Sequence, residues 1–77
     1  MNWIEFRRVL GGVIGKVMNP AAFNYYVQQE VGEGLQSEIH SGRFREIAHI
    51  LIEKIPDPVK QQRIRTEVAE MFEDLGL

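Results

Sequence analysis

No cysteine occurs anywhere in the 77 residues. That excludes a disulfide framework and any metal site built on thiolates. No window is apolar and uncharged for the length a membrane-crossing helix needs. No stretch reads as a secretory leader either: the apolar run after Arg7 and Arg8 is short and is broken by Lys16. A cytoplasmic location is therefore expected. No segment alternates apolar and polar residues for long enough to form a strand, and there is no internal repeat or low-complexity run. Neither sign of charge dominates. Nine Lys and Arg stand against eleven Asp and Glu, a net charge of −2, which argues against a coat for nucleic acid or an anionic membrane.

What the chain does have is the composition of a folded domain, with 44% hydrophobic and 26% charged residues. Its length allows one domain, a single helical unit over residues 1–77. A core this small stabilises by only ~3–5 kcal/mol net, and domains of this size commonly add a disulfide, a metal or a partner. Without cysteine, a partner subunit is the device that is left.

The clearest local signal is Pro56-Asp57-Pro58. Pro56 cannot continue the helix to which Ile50, Leu51, Ile52 and Ile55 belong. Asp57 can accept from the first free amides of the next helix, and Pro58 fits its first turn. Two amphipathic helices are predicted, over residues 42–55 and 58–75. In the first, Phe44, Ile47, Ala48, Leu51 and Ile55 share a face; in the second, Ile64, Val68, Met71, Phe72 and Leu75 do. Gly76 can end the last helix. Leu51, Ile55, Val68 and Phe72 are expected to be buried together where the two helices pack.

Upstream, Trp3, Phe6, Leu10, Val13, Ile14 and Val17 recur at helical spacing over residues 2–18. Ile4, Val9 and Met18 widen the stripe beyond what a surface helix shows, so this helix is expected at the centre of the bundle or in a dimer interface. Gly11 and Gly15 are four apart, and each costs ~1 kcal/mol in a helix interior relative to Ala. They read as a site of close helix approach, with an end or kink near Gly11-Gly12 as the competing reading. Asn19-Pro20 is a helix start. It opens a helix from Ala21 to Val31 with Phe23, Tyr26, Val27 and Val31 inward. Gly32-Glu33-Gly34 is expected to break or bend it, and Ser41 to cap the next helix.

Few constellations carry chemistry. Leu10-Gly-Gly-Val-Ile-Gly-Lys-Val17 lacks the first glycine and the final Ser/Thr of a phosphate-binding loop, and no strand precedes it. Glu46, His49 and Glu53 share one helix side, which is a solvated face rather than a tailored metal site. His40 with Ser37, Glu38 and Ser41 crowds one helix end and defines no triad. A core this small hardly encloses a substrate pocket. No catalytic residue, no metal and no cofactor is expected, and the chain is not expected to be an enzyme.

Two binding readings stay open. Lys60, Gln61, Gln62, Arg63 and Arg65, with Thr66, have the composition of a helix that reads DNA after a short turn, as in a helix-turn-helix using residues 58–66. The net negative charge and Glu67, Glu70, Glu73 and Asp74 further along oppose this, and Arg63–Glu67 is expected as a simple surface pair. The basic start and acidic end of this helix also run against its own macrodipole. Trp3 with Arg7, Arg8 and Lys16 fits a membrane-surface helix, but core packing explains the same residues. The favoured expectation is an all-α bundle of three to five short helices acting through protein contacts. It would be a small interaction or regulatory module whose partner is another protein or a second copy. A homodimer is expected, with Trp3, Phe6, Gly11, Gly15 and Tyr25 at the contact.

Overall fold

A computed structural model describes residues 1–32 and 39–77 of the chain. Among the described residues there are four α-helices and no strand. They are α1 (Trp3–Ile14), α2 (Pro20–Val31), α3 (Phe44–Glu53) and α4 (Pro58–Leu75), with a 3-10 turn at Ser41–Arg43 before α3.

Three of the four helices start where a side chain can take over free amides. Asn2 Oδ1 accepts from Glu5 N at 2.9 Å, and Asn19 Oδ1 accepts from Ala22 N at 2.8 Å. Asp57 Oδ1 accepts from Val59 N at 2.8 Å and from Lys60 N at 3.2 Å. Pro20 and Pro58 each sit in a first turn, where a missing N–H costs nothing. The start near Ser41 differs from the expectation. His40 Nδ1, not Ser41, accepts from Gly42 N at 3.0 Å, and Ser41 lies inside the 3-10 turn. α3 itself begins at Phe44 and has no side-chain cap, so it is shorter than the predicted residues 42–55.

The ends follow the same economy. α1 stops at Ile14 rather than near residue 18. It runs through Gly11 and Gly12 and unwinds at Gly15, with Lys16 N and Val17 N bonded three residues back. α2 ends at Gly32, whose φ of 71° is a conformation glycine adopts freely. The expected break is therefore at its first glycine, while the rest of the Gly32–Gly34 reading, and the one for Leu35 to Glu38, lies outside the described residues. α4 ends in a Schellman turn: Gly76 has φ 70°, Gly76 N reaches Glu73 O, and Leu77 N reaches Phe72 O at 3.0 Å.

α1 and α3 each touch the other three helices. This accounts for most of the apolar stripe of α1, while Ile4 and Val9, which widen it, stay exposed at 55% and 36%. Trp3, Phe6, Leu10 and Ile14 are 0% exposed, and Val13 and Val17 pack against the core from its edge. The Phe6 and Phe44 rings stack with centroids 4.4 Å apart, and Trp3 and Phe72 flank them at 5.9 and 5.4 Å from Phe6. Such ring pairs add ~0.5–1.5 kcal/mol each beyond the area they bury. Leu51, Ile55, Val68 and Phe72 are all buried in this one cluster, as the helical periods require. α3 and α4 run antiparallel. Gln61, next to the turn, donates to Ile52 O at 3.2 Å, while Arg45 at the far end of α3 donates to Leu77 O at 2.6 Å. No polar or charged residue is buried among the described ones, so specificity rests on shape.

Candidate interaction surfaces

The residues expected at a dimer contact divide. Trp3 and Phe6 are fully inside the chain's own core and are not available to a partner. Gly11 does allow a close approach, but an internal one: a Cβ there would lie 3.3 Å from Phe23 of α2. Gly15 answers to its own helix, since a Cβ there would fall 2.6 Å from the Gly11 carbonyl oxygen. The two glycines therefore mark no external helix contact. Tyr25 is 59% exposed, its ring resting edge-on against Tyr26 with centroids 5.4 Å apart. Three neighbours at once cover most of the α1 stripe, leaving Ile4 and Val9 exposed; helical spacing alone could not distinguish this from one neighbour and a partner.

The basic start of α4 also divides. Gln61 is half-buried and spends its amide on Ile52 O and Ile55 O, closing the end of α3. Arg65 is half-buried against α3, and its Nε is buried without a hydrogen-bond partner. Lys60, Gln62 and Arg63 are exposed, and Thr66 Oγ1 turns back onto Gln62 O at 3.2 Å. A base-reading row of five polar side chains is thus reduced to three. Glu67 does not pair with Arg63 as expected; its partner is Lys16, at 2.6 Å, which ties the end of α1 to the middle of α4. That hydrogen bond, reinforced by the charges of Lys16 and Arg63, holds the Glu67 carboxyl below its ordinary value against the opposing effect of partial burial.

Two grooves flank α4. Between α1 and α4, Val9, Val13, Met71 and Leu75 form an apolar floor, and Glu67, Glu70 and Asp74 form an acidic rim, around about 290 Å³. Between α3 and α4 lies a groove of about 380 Å³ with the opposite rim: Arg45, His49 and Arg65 beside Glu46, over Ala48, Ile52, Val68, Ala69 and Phe72. Outside both grooves, Val59 is the most exposed large apolar residue among those described, at 77%, and it stands beside Lys60.

His49 and Glu53 pair at 3.1 Å, while Glu46 leans to Arg43 at 3.9 Å. Among the described residues no group of three or more His, Cys, Asp or Glu is placed to hold a metal ion. No described helix is long and apolar enough to cross a membrane. Comparison of the chain with protein-family models, with curated proteins and with solved structures finds no match, so any functional reading rests on these surfaces.

Proposed function

We propose that this chain is a small non-enzymatic interaction module that self-associates as a homodimer through the outer face of α4. One observation carries the reading: the charge of α4 is reversed along its length, and an acid-rimmed apolar groove lies beside its acidic half. In a two-fold pair the same patch serves both copies, so the patch must complement itself. An antiparallel α4–α4 contact does this. Arg63 and Glu70 lie close to one line on the outward face, since seven residues are nearly two turns. Lys60 and Asp74 lie on the flank towards α1. One register brings Arg63 opposite Glu70 of the second copy and Lys60 opposite its Asp74. Val59 stands one turn before Arg63, close to the same line, so the contact covers it as well.

The magnitudes assign the roles. Exposed ion pairs contribute ~0–1 kcal/mol each, so they set direction and register. Burying a side chain the size of Val59 contributes ~1.5–3 kcal/mol, twice by symmetry, and supplies the attraction. Basic groups near the start of α4, unfavourable for its own macrodipole, gain a reason once the second copy's acids lie opposite them. The expected dimer is weak and sensitive to salt. Sedimentation equilibrium of the native protein at high micromolar concentration tests this: association that weakens as salt rises supports the reading, and a clean monomer at low salt ends it.

A further inference from the structure

The groove on the other flank of α4 is unrelated to that contact, and its chemistry differs. α3 contributes Arg45, Glu46, Ala48, His49 and Ile52, and α4 contributes Arg65, Val68, Ala69 and Phe72. Apart from Glu46 at the rim, each set is i, i+3, i+4, i+7, one continuous side of a helix with an arginine at its first position. Because the helices run antiparallel, the two arginines stand at opposite ends of one apolar trough. We propose that this trough binds an amphipathic helix from another protein that carries carboxylates about two turns apart on either side of a pair of large apolar side chains.

Both arginines keep N–H groups for such a ligand. Arg45 is held in place, with its guanidinium carbon 4.5 Å from the Phe72 ring centroid and Nη2 donating to Leu77 O at 2.6 Å. That contact leaves further N–H groups unused, since a guanidinium has five. Arg65 makes no ion pair among the described residues, and its Nε is buried without an acceptor. Of the nearby acids, Glu53 pairs with His49, and Glu46 stands at the rim 3.9 Å from Arg43. In a chain of net charge −2, two arginines framing an apolar floor, neither paired with an Asp or Glu among the described residues, are a local exception that an incoming carboxylate would neutralise. The volume of about 380 Å³ accommodates two or three side chains. Nucleic acid fits less well, because a phosphate backbone is met by a row of cations and offers nothing to an apolar floor. A helix laid along a groove, with anchors at i+3 and i+4 and acids at i and i+7, matches the trough position by position.

The test uses the native protein and a fluorescent helical peptide of pattern Glu-x-x-Leu-Leu-x-x-Glu. Fluorescence anisotropy should show saturable binding. Replacing both peptide glutamates by Gln should weaken it about tenfold or more, as should Arg65→Gln or Arg45→Gln in the protein. The peptide-side change needs no protein variant, so it stands even where Arg65→Gln disturbs folding. No saturable binding to the native protein, equal binding of the Gln peptide, or displacement of the peptide by random duplex DNA at physiological salt would each overturn the proposal.

Discussion

Gly11 faces Phe23 so closely that a Cβ on it would stand 3.3 Å from the ring, whereas a Cβ on the neighbouring Gly12 would meet nothing within 4 Å. The two glycines therefore predict opposite results. Both lie in α1, where Ala is favoured over Gly by ~0.5–1 kcal/mol. Gly12→Ala should stabilise the protein by about that much. Gly11→Leu should push Phe23 out of place and destabilise by ~1–3 kcal/mol, without changing the oligomeric state. Urea denaturation reads both, and a Gly11→Leu protein as stable as the native one would show that Phe23 is not packed there.

Asp57 satisfies two amides at the start of α4, and Gln61, one turn on, closes the end of α3. Asp57→Ala should cost ~1 kcal/mol. Gln61→Ala should also lower stability, by ~0.5–1.5 kcal/mol, although sequence alone reads it as a free surface amide. Equal denaturation midpoints for native and Gln61→Ala protein would remove Gln61 from the turn.

Lys16 and Glu67 should give a pH signature. The Glu67 carboxyl titrates below its ordinary value because Lys16 donates to it. A group whose folded pKa is depressed adds stability above its unfolded pKa, and that stability is lost as pH falls through the folded value. Lys16→Met should therefore melt below the native protein near neutral pH, with the gap closing on acidification through the carboxylate range. The pair is partly solvent-exposed, so the gap should be small and should shrink with salt. A gap of the same size at neutral and acid pH would mean that Lys16 acts through packing alone.

The composition of α4 invites a DNA assay, and the structure sets its outcome. With Gln61 committed to α3 and Arg65 half-buried, Lys60, Gln62 and Arg63 are left to meet a duplex. No sequence-dependent shift at physiological salt is expected. A specific shift that Arg63→Gln removes would restore the helix-turn-helix reading.

The all-α class, the starts at Asn19 and Asp57 and the inward faces of α3 and α4 were legible in the sequence, because caps and periods are local; the helix count was bounded only to three to five. Asn19-Pro20 and Asp57-Pro58 each state a start in two residues. The placement of Trp3 and Phe6 was not legible, because a broad apolar stripe looks the same whether three internal helices or one partner covers it. Lys16–Glu67 spans a separation of 51 residues, and no local rule pairs them. The grooves beside α4 needed the antiparallel arrangement before Arg45 and Arg65, or Val9 and Met71, could be seen to share a surface. The uneven charge of α4 was visible from the start; what was missing was the apolar floor beside its acidic half.

The antiparallel α4 contact is tested most directly by a charge swap. Arg63→Glu leaves one chain with acids at both 63 and 70, and Glu70→Arg leaves another with bases at both. Each alone should repel its own copy and sediment as a monomer. Mixed in equal amounts, they should form a heterodimer, because both cross-pairs become attractive again. Sedimentation equilibrium of the two variants, separately and mixed, reads this in one experiment. Association of the mixture but of neither variant alone is the predicted result. A mixture that stays monomeric, or variants that each dimerise as the native protein does, would contradict the account.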